Sequence, residues 1–399
     1  MVSSFGYCGL PDKPMSIIEI FDPMAALAIS QVCSHVARPA SPSTITSTSS
    51  ATGQQQIFKN ALILRKSTRW QWEKEQNGLS DADLKKHLIS KGVDVQELLE
   101  NEKKQVNAVM EVVKELEMAG ITTRIVTRDQ LPQYLPQADL VISAGGDGTF
   151  LTAASAVNDE TPIVGINTDP IGSEGHLCVG GKNPPRNLIE LLVSGKLQFR
   201  QRSRIRVTIR EPQSKGFFNL TKKSRRSQAI TNLALNEVFI GEDEAAKVST
   251  YNISIDDSPM VKQKSSGMIV STGTGSTSWY LGMNRIDETT VTSIMEAIQS
   301  LGINVPVNRT IVSQVAKSVN DRIAFEPDHP NFAFYIREAI FNQTYKKTPT
   351  RGFARKIKLE SRCSNGYLVL DGSNKIPFPR GSTVILEINP NDALKTVIM

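Results

Sequence analysis

The sequence is poor in the residues that build covalent or metal-bound frameworks. Its 4 cysteines (Cys8, Cys33, Cys178 and Cys363) show no CxxC pair and no metal-type spacing. That usage argues against a disulfide scaffold and suits a reducing compartment. The 4 histidines, His35, His87, His176 and His329, are equally scattered, so an imidazole-based metal site has little support. Long apolar runs are missing too. The run at residues 61–64 (Ala-Leu-Ile-Leu) is far too short to cross a bilayer, and no membrane partner is expected. Two nucleotide-binding signatures are absent. No G-x-x-x-x-G-K-[ST] segment occurs, which argues against a P-loop NTPase; no glycine-rich segment completes G-x-G-x-x-G, which disfavours a standard dinucleotide dehydrogenase.

What is present is a chain of 399 residues, 39% hydrophobic and 22% charged, which reads as soluble, globular and long enough for two or more domains. The net charge of +6 does not demand a nucleic acid, because anionic phosphate ligands or a basic loop explain it as well. Residues 40–56 are low-complexity and rich in Ser and Thr, so they cannot bury a core. No acidic residue occurs between Asp22 and Glu73. A leader over residues 1–56 that is Ser-rich and acid-free after Asp22 has the composition of an organellar transit peptide, although Asp12, Glu19 and Asp22 spoil its start; a plain disordered tail is the alternative.

Order is expected from residue 57. Residues 61–64 read as a buried strand, and Val106, Val109, Met110, Val113 and Leu116 recur at helical spacing up to Gly120. Strands at 121–127, 140–143 and 162–167 and a helix at 150–157 complete a β–α alternation that implies a parallel, doubly wound sheet over 57–167. From about residue 205 short alternating segments follow one another at 205–209, 233–240, 250–255, 268–271, 332–336, 356–359, 367–370 and 383–388. They imply a mostly antiparallel, β-rich domain over 168–399, with one helix near 310–319 and room for the last strand to return to the first domain. The basic stretch 211–230 reads as a solvated loop, and no nucleic-acid partner is expected from it.

Chemistry concentrates at three places. Gly145-Gly146-Asp147-Gly148-Thr149 follows a strand, where glycines permit positive φ and close approach of phosphate to main-chain N–H groups. A carboxylate there makes sense if it accepts a proton from a hydroxyl beside an incoming phosphoryl group; the bland alternative is a helix cap. Residues 271–279 (Ser-Thr-Gly-Thr-Gly-Ser-Thr-Ser-Trp) combine hydroxyls and free amides suited to an anionic or ribose-bearing ligand, or form an ordinary turn. Asn236-Glu237 interrupts an apolar run and suggests hydrogen bonds to a ribose diol or an adenine edge, with a satisfied buried pair as the alternative. Asp371-Gly372 is explained as well by a plain turn.

In content and order these motifs resemble the NAD kinase family, over roughly residues 57–399 and nearest to its mitochondrial branch. The resemblance implies an NAD kinase-like fold and phosphorylation of the adenosine-ribose 2′-hydroxyl of NAD. ATP would be the donor, Mg²⁺ would be held mainly by its phosphates, and the protein would supply no metal ligands of its own. Asp147 matches the catalytic aspartate. Gly145, Gly146, Gly148 and Thr149, with Thr274, Gly275 and Ser276, match phosphate- and nucleotide-binding positions. Asn236, Glu237, Thr277, Ser278 and Trp279 match the NAD site. Lys264 and Ser266 match positions that contact NAD across a subunit interface, so a homodimer is implied. His176 stands where most members carry Phe, which suggests packing. With the leader, the resemblance implies the mitochondrial matrix, the cytoplasm being the alternative. Two other readings stay open: a diacylglycerol-type lipid kinase sharing the Gly-Gly-Asp-Gly-Thr loop, and a silent dinucleotide sensor.

Overall fold

Residues apolar on every position of a short run belong in the middle of a parallel sheet, where both faces are covered. In the computed structural model, which describes residues 58–210, 230–345 and 347–398, this is the environment of β1 (Asn60–Arg65). All described residues lie in one compact unit, Gln55–Met399; the expected leader and the basic segment 211–229 lie outside them. Three helices follow β1: α1 (Arg69–Asn77), α2 (Asp81–Ser90) and the long α3 (Val95–Met118). Then come β2 (Thr122–Val126), the short α4 (Leu131–Tyr134), β3 (Leu140–Ala144), α5 (Asp147–Ala156) and β4 (Ile163–Ile166). β1, β2, β3 and β4 pair in parallel, in the spatial order β2-β1-β3-β4.

The two faces of this sheet are closed by different helices. Val109, Val112, Val113 and Leu116 of α3 pack on Ile63 and Ile142, while Phe150, Ala153 and Ala154 of α5 pack on Leu62 and Val141. The apolar stripe of α3 is thus rotated from the one the spacing suggested, with Val106 and Met110 exposed. The sheet also extends beyond residue 167. After α6 (Leu188–Val193), β5 (Gln198–Arg202) joins it antiparallel to the C-terminal strand at 394–398, which itself runs parallel to β4. The boundary expected at 167 is therefore too early. β5 reads Gln-Phe-Arg-Gln-Arg at a sheet edge and offers no apolar alternation to detect.

The second layer is a sandwich of two antiparallel sheets. Its strands are β6 (Ile205–Arg210), β7 (Ile230–Ala234), β8 (Glu237–Glu242), β9 (Ser249–Ile255), β10 (Val261–Ser265) and β11 (Gly267–Ser271). They are followed by β12 (Phe332–Arg337), β13 (Arg351–Ala354), β14 (Lys356–Ser361), β15 (Gly366–Leu370), β16 (Asn374–Pro377) and β17 (Thr383–Ile388). The sheets run β10-β9-β14-β17-β6-β7 and β13-β12-β11-β8-β15-β16, and Val207, Ile253 and Leu359 of one meet Val238, Met268 and Phe334 of the other. Between β11 and β12 lie three helices, α7 (Trp279–Asn284), α8 (Glu288–Ser300) and α9 (Arg309–Asn320), where one was expected. α8 buries only Val291 and Met295, a stripe too thin to stand out in the sequence. The run read as one strand at 233–240 is broken at Leu235-Asn236, and that break turns Asn236 toward a cleft.

Candidate active site

The glycine loop joins β3 to α5, and Gly145 and Gly146 are there for space, while a Cβ on Gly148 would meet nothing. None of Gly145, Gly146 and Gly148 takes a positive φ, contrary to the sequence argument. A Cβ on Gly145 would sit 2.8 Å from the Thr149 Cβ and 3.0 Å from that of Lys66; one on Gly146 would sit 2.9 Å from the Ser173 Cβ. Asp147 follows as the first residue of α5, whose cap is Gly146 with no side-chain cap bond. The capping explanation of Asp147 therefore fails. Its carboxylate instead accepts the backbone N–H groups of His176 (3.1 Å) and Leu177 (2.8 Å) from the loop after β4. His176 contributes its amide, while the residue is exposed, against the packing role its position suggested.

Two cavities meet at Asp147. The first, about 260 Å³, lies between the α/β sheet and the sandwich and brings together Asp147, Arg202, Asn236, Thr274, Thr277 and Ser278. Arg202 was not foreseen. Its Nη1 donates to the Thr274 hydroxyl (3.3 Å), and burial, then the neighbouring Arg200, pulls its pKa down to about 10, so it stays cationic at neutral pH. The second cavity, about 560 Å³, opens beside Gly146, Gly148 and Thr149, with Lys66 and Arg128 in its walls.

Not every residue of the 271–279 segment faces a ligand. The buried Ser276 hydroxyl donates to the Gly273 carbonyl (2.7 Å) and accepts the Phe325 N–H (3.1 Å), so it braces the turn and is not a phosphate contact. Gly275 lies against the backbone of Asn236, where a Cβ would come within 2.8 Å of the Asn236 Cα. It too holds the site together from behind.

Asn236 and Glu237 are buried, and Asn236 Oδ1 and Glu237 Oε2 find no partner in the protein. Asn236 lines the first cavity, where a buried acceptor left open marks a place for a ligand donor, whereas Glu237 is buried behind it and does not line the cavity. Their backbone is held by Asp371, whose carboxylate accepts the N–H groups of Leu235 (2.9 Å), Asn236 (2.7 Å) and Glu237 (3.2 Å). Asp371, with φ at +49°, is thus a positioning residue and more than a turn former.

Burial, then the Asp371 charge, pushes the Glu237 carboxyl up from 4.5 to about 7. Asp371 is also raised, burial outweighing the N–H groups that hold it. A carboxyl raised in the folded state favours folding when protonated, so its stabilising contribution is lost as pH rises from 4.5 to about 7. In the ligand-free protein Glu237→Gln should flatten this loss, which amounts to roughly 3 kcal/mol. Urea midpoints measured at pH 5 and pH 8 check it; an unchanged pH slope in the variant would exclude Glu237 as its source.

Lys264 and Ser266 do not line the first cavity. Lys264 lies on edge strand β10, and the Ser266 hydroxyl accepts Arg337 Nε at 2.7 Å. Arg337 in turn lies over the Phe239 ring (5.5 Å), and Phe239 contacts the half-exposed Trp279 at 5.0 Å. Trp279 and Ser266 therefore share one surface patch, beside the cleft but outside it.

A carboxylate pinned next to a glycine loop, with a cavity on either side, defines a kinase for a small hydroxyl-bearing substrate. Comparison with known proteins agrees. The family described as ATP-NAD kinase N-terminal domain matches residues 65–196, and ATP-NAD kinase C-terminal domain matches 235–320. NAD kinase 2, mitochondrial, of Homo sapiens is 34% identical, covering 85% of this chain and 84% of that protein. Its counterpart in Rattus norvegicus is also 34% identical, covering 85% and 87%. The yeast NADH kinase solved with NADH shares the fold at a TM-score of 0.50 and 14% identity, covering 86% of this chain and 84% of that one. The chain belongs to the NAD kinase family. It is an NAD kinase enzyme, and the lipid-kinase and silent-sensor readings are not favoured.

Proposed function

We propose that the chain moves the γ-phosphoryl group of ATP onto the adenosine-ribose 2′-hydroxyl of NAD, with Asp147 orienting that hydroxyl and accepting its proton. The observation that carries this reading is the placement of Asp147 on the shared wall of both cavities. NAD is assigned to the first, where Asn236 offers an open buried acceptor to its adenosine, with the unpartnered Glu237 carboxyl next to it in the chain, and Arg202 offers a cation to its pyrophosphate. Thr277 and Ser278 line the same wall, and Trp279 stands at its rim. The donor enters on the glycine-loop side, where Gly146, Gly148 and Thr149 line the second cavity and Gly145 packs behind them. Among the described residues no three His, Cys, Asp or Glu side chains group closely enough to hold a metal ion. Mg²⁺ is accordingly assigned to the phosphates of ATP, where it would offset their charge.

A homodimer is part of the proposal, because Lys264 and Ser266 lie outside the cleft of their own chain and match positions that reach a neighbouring subunit in relatives. The mitochondrial matrix is the proposed location, supported by the Ser-rich stretch after Asp22 that lacks acidic residues and by relatives named as mitochondrial. The whole chain incubated with ATP, Mg²⁺ and NAD should produce NADP, read by an NADP-specific dehydrogenase. A folded protein that makes none, while phosphorylating NADH or a lipid, would sink the assignment of NAD as acceptor.

A further inference from the structure

The glycine-loop cavity has a second end, built by α1. Trp70 and Trp72 stand two positions apart on this helix and so project to different sides. Trp70 is buried with Leu84, Leu88, Val95 and Leu98, whereas Trp72 is 51% exposed and lines the cavity. The helix is not free to turn. Thr68 caps it by accepting the Gln71 N–H, and the Thr68 hydroxyl and Gln71 amide both bond to Glu102 of α3, the latter at 2.6 Å. The cavity is thus furnished with a fixed, half-bare indole.

At the loop end stands Lys66, the residue directly after β1. Its ammonium is 3.3 Å from the Asp169 carboxylate, which also accepts the Gly172 N–H at 3.1 Å. The Lys66 N–H donates to the Ala144 carbonyl at 2.9 Å, which sets the lysine Cβ beside Gly145, while Asp169 holds its ammonium. With both side chains near 40% exposed, this ion pair is weak enough to be exchanged for a phosphate. The volume, about 560 Å³, lies within the range of small-molecule pockets.

We propose that in this donor cavity Trp72 stacks on the purine base and selects the donor, and that Lys66 leaves Asp169 to face the phosphates. The inference rests on the NAD kinase reading and adds to it how the donor is selected: the indole distinguishes a nucleotide from inorganic polyphosphate, and the lysine serves either. Base stacking on an aromatic side chain is worth about tenfold or more in affinity. Trp72→Ala should therefore raise KM for ATP about tenfold and leave KM for NAD unchanged. Inhibition by tripolyphosphate, competitive with ATP, should keep its Ki in that variant. Lys66→Met should raise both the ATP KM and the tripolyphosphate Ki and lower kcat, with Lys66→Arg recovering part of each.

A readout independent of turnover separates this idea from the activity itself. A non-hydrolysable ATP analogue should quench a fraction of the tryptophan emission of the full chain, and Trp72→Phe should remove that fraction. NAD should act instead on the fraction lost in Trp279→Phe. If wild type makes no NADP, the NAD kinase reading fails while the quenching still tests the nucleotide site. If NADP forms but Trp72→Ala leaves KM for ATP unchanged, or the analogue leaves Trp72 emission untouched, the base-stacking role is overturned. An unaltered Ki for tripolyphosphate in Lys66→Met overturns the role of the lysine.

Discussion

Asp147→Asn is expected to fold, to keep its NAD affinity within a fewfold, and to lose roughly 10²–10⁴ of its turnover. The carboxylate is pinned by N–H donors, His176 to one oxygen and Leu177 to the other. An Asn keeps one of those acceptors, but its NH₂ must face the second donor, so the loop after β4 gives way slightly there. Asn236, Thr277 and Ser278, to which the NAD contacts are assigned, lie on other elements of the first cavity and are untouched. Ground-state binding should survive for that reason, while the group that takes the hydroxyl proton is gone. Asp147→Ala removes both acceptors and should show the same loss with a larger cost in stability. Calorimetric titration with NAD and single-turnover NADP formation separate the two effects. A variant keeping more than a tenth of wild-type kcat would show that Asp147 is not the proton acceptor.

How much of this was legible in the sequence depended on whether a residue acts through its neighbours in the chain or through distant ones. The loop from Gly145 to Thr149 could be read because a buried strand runs straight into it and glycines cluster there. Even so, the reason for two of the glycines is different from the expected one: Gly145 and Gly146 make room for Thr149, Lys66 and Ser173, and none of the three takes a positive φ. Asn236-Glu237 stood out as a polar interruption of an apolar run. Nothing local, however, revealed that the carboxylate of Asp371 holds their backbone from 134 residues or more away in sequence. That bond exists because β15 pairs with β8, a tertiary fact. Arg202 lay hidden among the charges of an exposed-looking edge strand, and Ser276 looked like a ligand contact because a hydroxyl in a glycine-rich turn does not announce which way it points. Trp72 gave no signal of its own, since one of two aromatics on a short helix reads as packing.

Arg204 should prove the most consequential residue outside the two clefts. It is 2% exposed, and its guanidinium donates to three carbonyls: Asp392 (2.5 Å), Ala154 (3.0 Å) and Val157 (2.6 Å). Ala154 and Val157 close the C-terminal end of α5, the helix that carries Asp147 at its first turn. Asp392 precedes the strand that returns to the α/β sheet, and its side chain is gripped by Arg206 through two 2.6 Å bonds. Arg204 thus ties the catalytic helix to the start of the sandwich that presents Asn236. Burial pulls its pKa to about 10, against the opposing charges of Asp392, Asp371 and Asp159, so it remains charged at neutral pH. Arg204→Met fits the volume but leaves the three acceptors without their donor, at a cost of about 3 kcal/mol or more. Arg204→Lys keeps the charge yet offers one ammonium where a planar fork spanned the gap, so it should restore stability only in part. The catalytic consequence is separate. A shift of about 1 Å between Asp147 and the NAD wall should lower kcat roughly a hundredfold with little change in KM for ATP. Urea denaturation and steady-state kinetics on both variants test this. Should Arg204→Met unfold at the wild-type urea midpoint with kcat intact, the tie between helix and sandwich does not set the geometry of transfer. A drop in stability with kcat preserved would confine Arg204 to folding, and only the loss of both makes it the residue that aligns the two halves of the site.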